Sequence, residues 1–589
     1  MISAWRSLAA IIIVASLLGA AGCVNVPTTG PIERVEGQQP ACQNCVNVEV
    51  APPNPGDEPR QIVEGFLRAT SNYQPNYSVA KQFLTRMAAE TWSPDEGVSI
   101  YQGSVSATGE TTVMLDGRFV GSLEEDRTYK ALDHEMNFGF NLRQEDGEWR
   151  IENPPPGLFV TEFSFDSFYR SYDLYFLGNG SSLIPNPIYL PALSNPANVA
   201  SALMKALLNG PSGWLRPAVS TAIPPHTSLS VDSVTITGGI AEVPLSDSVL
   251  DLPDPQRSLL AAQIVYTLKQ VGGVKGVMIR VNQQPYRVPG SDPNSVVISV
   301  DAIPRDLDPI PLIAGQQLYA VRGRKVEQVT TTSDAPTPTP LPGVLGGGEH
   351  GVDALAISLT NTDLAVVTDN RTTLRRAPIA TGDPRTLRSG ATDLLRPQFT
   401  RYGEIWDIGR QDGRQRMWMF TADDKRDKTF EISSPVLQDK GVTVTAFKIS
   451  PDGTRMALVR RTATGDELGV ARIIRSDKIV VNGWQALGFT QTNRRAIRAI
   501  ADVAWVDATE LLVLGAADAG TAYEVFRVSA DASRIAAQGG PDNWDAVELA
   551  ALPGTQSAII VGRTDQTWKY NGNQWLPFVD KVRTVAYPG

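Results

Sequence analysis

The chain is poor in the side chains that most enzyme chemistry needs. Its 589 residues hold three histidines (His134, His226, His350) and three cysteines (Cys23, Cys42, Cys45). So thin a supply excludes a multi-histidine metal enzyme. Basic charge is short too: 53 Lys and Arg face 63 Asp and Glu, a formal net charge of −10. That excludes a sequence-independent nucleic-acid binder, which needs a basic face. No Gly-x-Ser-x-Gly elbow occurs, so a common hydrolase nucleophile is missing. His134-Glu135 has no second histidine four residues on, and Gly346-Gly347-Gly348 is not followed by Lys-Ser or Lys-Thr. Neither a cofactor nor a metal is expected, and no catalytic residue stands out.

Apolar residues make up 42% of the chain and charged residues 20%, enough apolar side chain for several packed cores. At about 150 residues per domain, three or four domains are expected. The long apolar run, Leu8 to Leu18, lies behind Arg6 and is shorter than the ~20 residues of a spanning helix. It reads as a signal peptide over residues 1–22. It ends in Ala20-Ala21-Gly22-Cys23, which resembles a bacterial lipobox. That resemblance implies cleavage before Cys23 and acylation of its thiol. The alternative is an ordinary cleaved signal with a chance cysteine. Two or three acyl chains, at about 0.8 kcal/mol per buried methylene, anchor a protein stably. Cys42 and Cys45 form a Cys-x-x-Cys pair in a proline-rich stretch without the strand–helix setting of a redox site. A small disulfide is the expectation outside the cytoplasm, with free thiols as the alternative. Residues 23–58, with Pro27, Pro31, Pro40, Pro52, Pro53 and Pro55, read as a tether.

Helical stripes follow: Ile62, Val63, Phe66 and Leu67, then Val79, Phe83, Leu84 and Met87. Alternation takes over across 98–151 and closes with Asp146-Gly147-Glu148-Trp149-Arg150-Ile151. Residues 59–160 are therefore expected to form an α+β unit, which resembles the NTF2-like fold. Trp149 reads as a core residue. In the next unit, 173–290, Leu174 to Leu177 reads as a buried strand. Val199, Leu203, Ala206 and Leu207 mark a helix stopped by Gly210-Pro211. Val234 and Ile236, Gly238-Gly239, then Ala241, Val243 and Leu245 form a hairpin signal. A second stripe (Leu260, Ile264, Leu268, Val271) and a strand (Val277, Ile279, Val281) complete the unit. Leu207-Leu208-Asn209-Gly210-Pro211, Thr221-Ala222-Ile223-Pro224 and Gln263-Ile264-Val265-Tyr266-Thr267-Leu268 resemble the GerMN domain.

From residue 301 short strands recur at Ala354–Ile357, Pro397–Phe399, Ala446–Ile449, Val503–Val506 and Val547–Leu549, with the 40-to-60-residue spacing of propeller blades. Ser450-Pro451-Asp452-Gly453 followed by Ala457 resembles the blade signature of TolB-like and YVTN propellers. An all-β propeller of five or six blades is expected over 301–589. Leu318–Val321 and Val326 would close a blade with the C-terminal strand, and 330–351 would be a mobile loop. Seven tryptophans fall in this part, at 406, 418, 484, 505, 544, 568 and 575. Charge divides unevenly: residues 24–300 carry 18 basic and 29 acidic side chains, residues 301–589 carry 34 of each. Glu124-Glu125-Asp126 and Asp423-Asp424 read as solvated turns, and Arg494-Arg495-Ala496-Ile497-Arg498 as a solvated face, the alternative being a contact with an acidic partner or lipid headgroups.

The order lipobox, tether, NTF2-like unit, GerMN unit and propeller resembles, over essentially the whole chain, the actinobacterial lipoprotein LpqB family. The resemblance implies a lipoprotein on the extracytoplasmic face of the cell membrane. It also implies accessory regulation of a sensor histidine kinase (MtrB-like), through its extracytoplasmic domain, in cell-envelope homeostasis and division. A peptidoglycan-binding lipoprotein is the alternative, and an enzyme the third class.

Overall fold

The computed structural model describes residues 51–589 except 290–293, 303, 333–335, 422–427, 489–496, 518–519 and 542–544. The signal peptide, Cys23, Cys42 and Cys45 lie outside the described residues. The described residues belong to one compact unit, built of three successive domains.

The first domain opens with a helix, Pro59–Ser71. Glu58 and Gln61 form its capping box and Pro59 sits in its first turn, both favoured starts. Its apolar stripe, Ile62, Val63, Phe66 and Leu67, is buried against a five-stranded sheet. The strands are β1 (Val98–Ala107), β2 (Thr112–Leu123), β3 (Tyr129–Glu145), β4 (Glu148–Ile151) and β5 (Leu158–Thr161), in the order β4-β3-β2-β1-β5. Asp146 and Gly147 turn β3 into β4 with φ of 55° and 84°, the left-handed pair that a tight hairpin requires. Trp149 is half-buried against the core.

The second helical stripe is not one helix. It divides into Ser78–Lys81 and Arg86–Thr91 because Leu84 bridges to Ile151 and Thr85 caps a new helix, accepting from the Ala88 N–H. Met87 is consequently exposed rather than packed.

In the second domain, β6 (Tyr169–Leu177) pairs with β7 (Leu183–Pro191) as a long hairpin. Helix Pro196–Leu208 starts at the Asn195 cap and ends before Gly210 (φ 89°). β8 (Thr235–Thr237) and β9 (Ile240–Leu245) form the expected hairpin around Gly238 and Gly239. Helix Asp254–Leu268 then carries the chain to β10 (Gly276–Val281), parallel to β9. That is the crossover a parallel pair needs.

The third domain comprises six four-stranded antiparallel sheets among the described residues, arranged as propeller blades. Their inner strands are Val582–Ala586, Val352–Ile357, Gln398–Phe399, Thr443–Ile449, Ala499–Trp505 and Ala546–Ala551. The first blade joins Leu318–Arg322, Lys325–Val329 and Thr339–Pro340 to Val582–Ala586, so it combines strands from both ends of the domain. The stretch 330–351 differs from expectation. Thr339–Pro340 adds an outer strand, and Gly343–Gly347 is a short helix. Leu341 and Leu345 are buried and anchor it to the blade core.

Candidate functional site

Two groups of buried polar side chains link separate parts of the chain: one at the junction of the three domains, the other in the channel along the propeller axis.

At the junction, Tyr189 of β7 belongs to the core of the first domain. Its ring lies 5.4 Å from that of Phe165 and 6.0 Å from that of Tyr129. Its hydroxyl leaves that core and donates to Asp531 Oδ2 in the fifth blade at 2.9 Å. One side chain thus touches all three domains. Burial, with the Asp531 carboxylate beside it, holds the phenol well above its usual range, so it remains a donor. Arg455 makes a second tie. Its Nη1 donates to Asp452 Oδ2 at 2.8 Å, and its Nη2 donates to the Pro185 carbonyl of β7. Both members of this ion pair are buried. Asp452 also accepts from the Thr454 N–H, so the Ser-Pro-Asp-Gly turn is tied internally as well as to its neighbour. Trp214 Nε1 donates to the Gly483 carbonyl at 2.7 Å, and Tyr402 donates to the Asn179 carbonyl at 3.1 Å. Close by, burial pushes the Asp173 carboxyl up to about 7, with Asp507 and Asp531 adding to the shift and Arg455 opposing it.

The channel is built by a repeated irregularity. Five inner strands carry a bulge at the same place, at Asp353, Thr445, Ala501, Val547 and Arg583. A bulge shifts alternation by one residue and re-aims the side chains beyond it. The register makes Ala354, Ala446, Asp502, Glu548 and Thr584 equivalent, one in each blade. Arg396, just before the remaining inner strand, joins the acidic members. It donates to Asp502 at 2.7 Å and to the Leu549 carbonyl at 3.0 Å, and lies 3.0 Å from Glu548. Glu548 also accepts from Thr584 Oγ1 at 2.8 Å and from the Val585 N–H. Burial alone would lower the Arg396 guanidinium, but the two carboxylates hold it above its ordinary value.

Two residues further along each strand the register places Ala356, Gln398, Lys448, Ala504, Ala550 and Ala586. These alanines leave a cavity with Lys448 on its wall and Arg396 among its lining residues. Lys448 keeps some surface open to the cavity but is enclosed by the channel walls. Burial, with Arg396 nearby, brings its ammonium down to about 7 despite the attraction of Asp502 and Glu548. Pro311 and Ile313, from the segment that joins the second domain to the propeller, also line the cavity. Arg401 holds that segment by donating to the Asp308 and Pro309 carbonyls.

Of the residues singled out by sequence, His134 and His226 are exposed and His350 is half-buried, each in a different domain. Among the described residues no group of three or more His, Cys, Asp or Glu could hold a metal ion. Glu124, Glu125 and Asp126 are exposed, and Asp126 caps its own turn through Thr128. Asp423, Asp424, Arg494, Arg495 and Trp544 lie outside the described residues. Trp406, Trp418 and Trp505 are buried within the propeller. Tyr189, Trp214, Arg396, Lys448, Arg455, Asp502 and Glu548 did not stand out by sequence.

Comparison with known proteins agrees with the three-domain division. A family model for the N-terminal domain of lipoprotein LpqB matches residues 52–166. A model described as sporulation and spore germination (Germane) matches 173–287, and one for the LpqB beta-propeller domain matches 327–588. Lipoprotein LpqB of Thermobifida fusca is 26% identical, with 97% of each chain covered. Lipoprotein LpqB of Cutibacterium acnes is 28% identical, with 96% of each covered. Among solved structures, TolB from Acinetobacter baumannii is 14% identical at a TM-score of 0.35, covering 55% of this chain and 85% of that one. The class is therefore a multi-domain lipoprotein that couples a Germane domain to a β-propeller. The chain belongs to the LpqB lipoprotein family. No helix among the described residues is long and apolar enough to cross a membrane.

Proposed function

We propose that this protein is a lipid-anchored, extracytoplasmic accessory factor that binds the sensor domain of a membrane sensor histidine kinase (MtrB-like) and favours one of its conformations, in the service of cell-envelope homeostasis and division. It acts by binding, not by catalysis. Acylation at Cys23 and the tether confine it near the membrane and raise its effective concentration at the kinase. The observation that carries the reading is the Tyr189 contact, which joins three domains into one body. A rigid body presents a pre-ordered surface and loses less entropy on binding. A differential affinity of about 1–3 kcal/mol between kinase states suffices for regulation.

The test is calorimetric titration of residues 45–589 into the extracytoplasmic domain of the cognate kinase at two salt concentrations. Saturable binding at about 1 μM or tighter is expected; no binding up to about 300 μM overturns direct partnership. Retention on purified peptidoglycan without kinase binding would replace it with the cell-wall reading.

A further inference from the structure

Two residues that line the propeller cavity carry polar groups with no partner among the described residues. Tyr587 is among the residues that line the cavity, and its buried hydroxyl has no hydrogen-bond partner among the described residues. A buried hydroxyl in that state is costly, and such groups normally find a partner. Lys448 lines the same cavity, and among the described residues its ammonium has no ion pair, the nearby carboxylates being engaged by Arg396 and Thr584. The remaining wall is mixed: Ile313, Phe399 and Trp505 supply apolar surface, and Arg396, Gln398, Thr400, Arg401 and Ser450 supply polar groups.

We infer that the channel is a binding site for a small monocarboxylate, whose oxygens would take hydrogen bonds from Lys448 and Tyr587 and whose short apolar body would lie against Ile313, Phe399 and Trp505. Charge selects the ligand. Of the three cations that line the cavity, Arg396 is held by Asp502 and Glu548 and Arg401 by the Asp308 and Pro309 carbonyls, which leaves the Lys448 ammonium to match one negative charge, while the two nearby carboxylates would oppose a dianion such as phosphate. Size selects it too. The cavity leaves about 60 Å³ for the centres of water molecules, which is room for about four or five waters. That is the bulk of a carboxylate with a few carbons. The inference does not depend on the kinase reading, since the site lies in the propeller axis rather than on the outer surface.

Binding must be linked to protons. Lys448 faces Arg396, Asp502 and Glu548, and its own ammonium titrates near 7. A carboxylate that needs the charged form will draw a proton at pH 8. Its affinity will fall about tenfold per pH unit above 7.

The test is calorimetry of butyrate binding to the full chain in lipid nanodiscs, with empty nanodiscs as the blank, in two buffers of different ionisation enthalpy. Saturable binding with proton uptake at pH 8 is expected. It should be lost in Lys448→Met and weakened several-fold in Tyr587→Phe, a variant that removes one oxygen and preserves packing. No saturation up to about 10 mM, butyrate binding unchanged by Lys448→Met, or phosphate binding in preference to butyrate would each overturn the assignment.

Discussion

The Tyr189 hydroxyl donates to Asp531 across 342 residues of sequence, from a strand of the second domain to a turn of the fifth blade, while the Tyr189 ring packs in the core of the first. Replacing it with phenylalanine keeps the ring contacts and removes the donor. Asp531 would then stay buried with one interaction fewer. We expect Tyr189→Phe to cost about 1–3 kcal/mol, measured by urea unfolding. It should also split a single transition into separate ones for the propeller and the preceding domains.

Arg455 is a sharper case. Removing it leaves Asp452 fully buried and without its charge partner, and leaves the Pro185 carbonyl without its donor. Breaking a buried pair in this way costs about 3–5 kcal/mol. Arg455→Met is expected to fall in that range. The double variant Asp452→Asn with Arg455→Met should recover part of the loss, because no uncompensated charge remains. A double-mutant cycle in guanidinium measures the difference.

Trp214 ties the domain junction from another side. Its Nε1 donates to Gly483, and Arg472 donates to its carbonyl. The side chain is half-buried, so Trp214→Ala should cost about 2 kcal/mol, less than the roughly 3–5 of a fully buried aromatic. Thermal unfolding checks it.

The Asp173 carboxyl titrates near 7 in the folded chain and near 3.8 in the unfolded one. Between those values the folded state holds the proton and the unfolded state does not. Stability from this group therefore falls as pH rises from about 4 to 7, and the loss is complete above 7. Asp507 and Asp531 are raised by burial and act in the same direction. Asp173→Asn should flatten part of this slope and raise the melting temperature at pH 8. An unchanged slope would remove Asp173 from the account.

For the anchor, Cys23→Ser is expected to abolish the acyl mass on the mature N-terminal fragment and to prevent lipoprotein-type processing, as read by mass spectrometry of membrane fractions. The same spectra, with and without reductant, report whether Cys42 and Cys45 are bonded.

Much of the fold could be read from periodicity. The Ile62–Leu67 stripe, the Gly210-Pro211 stop, the Gly238-Gly239 turn and five inner strands all lie where local pattern puts them. What escaped has local causes. β7 reads Ile184-Pro185-Asn186-Pro187-Ile188-Tyr189, and two prolines argue against a strand. They are tolerated because β7 has a partner on one side, in a two-stranded ribbon. The single Val79–Met87 stripe failed because Thr85 offers a cap in its middle. The channel ring was invisible for a geometric reason. Asp502, Glu548 and Thr584 lie just past bulges, so simple alternation misassigns their faces, and Arg396, the partner that Asp502 and Glu548 share, comes from another blade. Lys448 looks in sequence like any polar residue of an alternating strand.

The first blade borrows its inner strand, Val582–Ala586, from the far end of the domain. During synthesis, Leu318–Arg322 is made some 260 residues ahead of the segment that must pair with it. Until that segment arrives the ring has a gap and an unpaired strand edge. Such an open ring is prone to strand exchange with a neighbour or to capture by a holding chaperone. Closure of the ring therefore waits on the last strand, and a chain cut short before Val582 would have five complete blades and no closed channel.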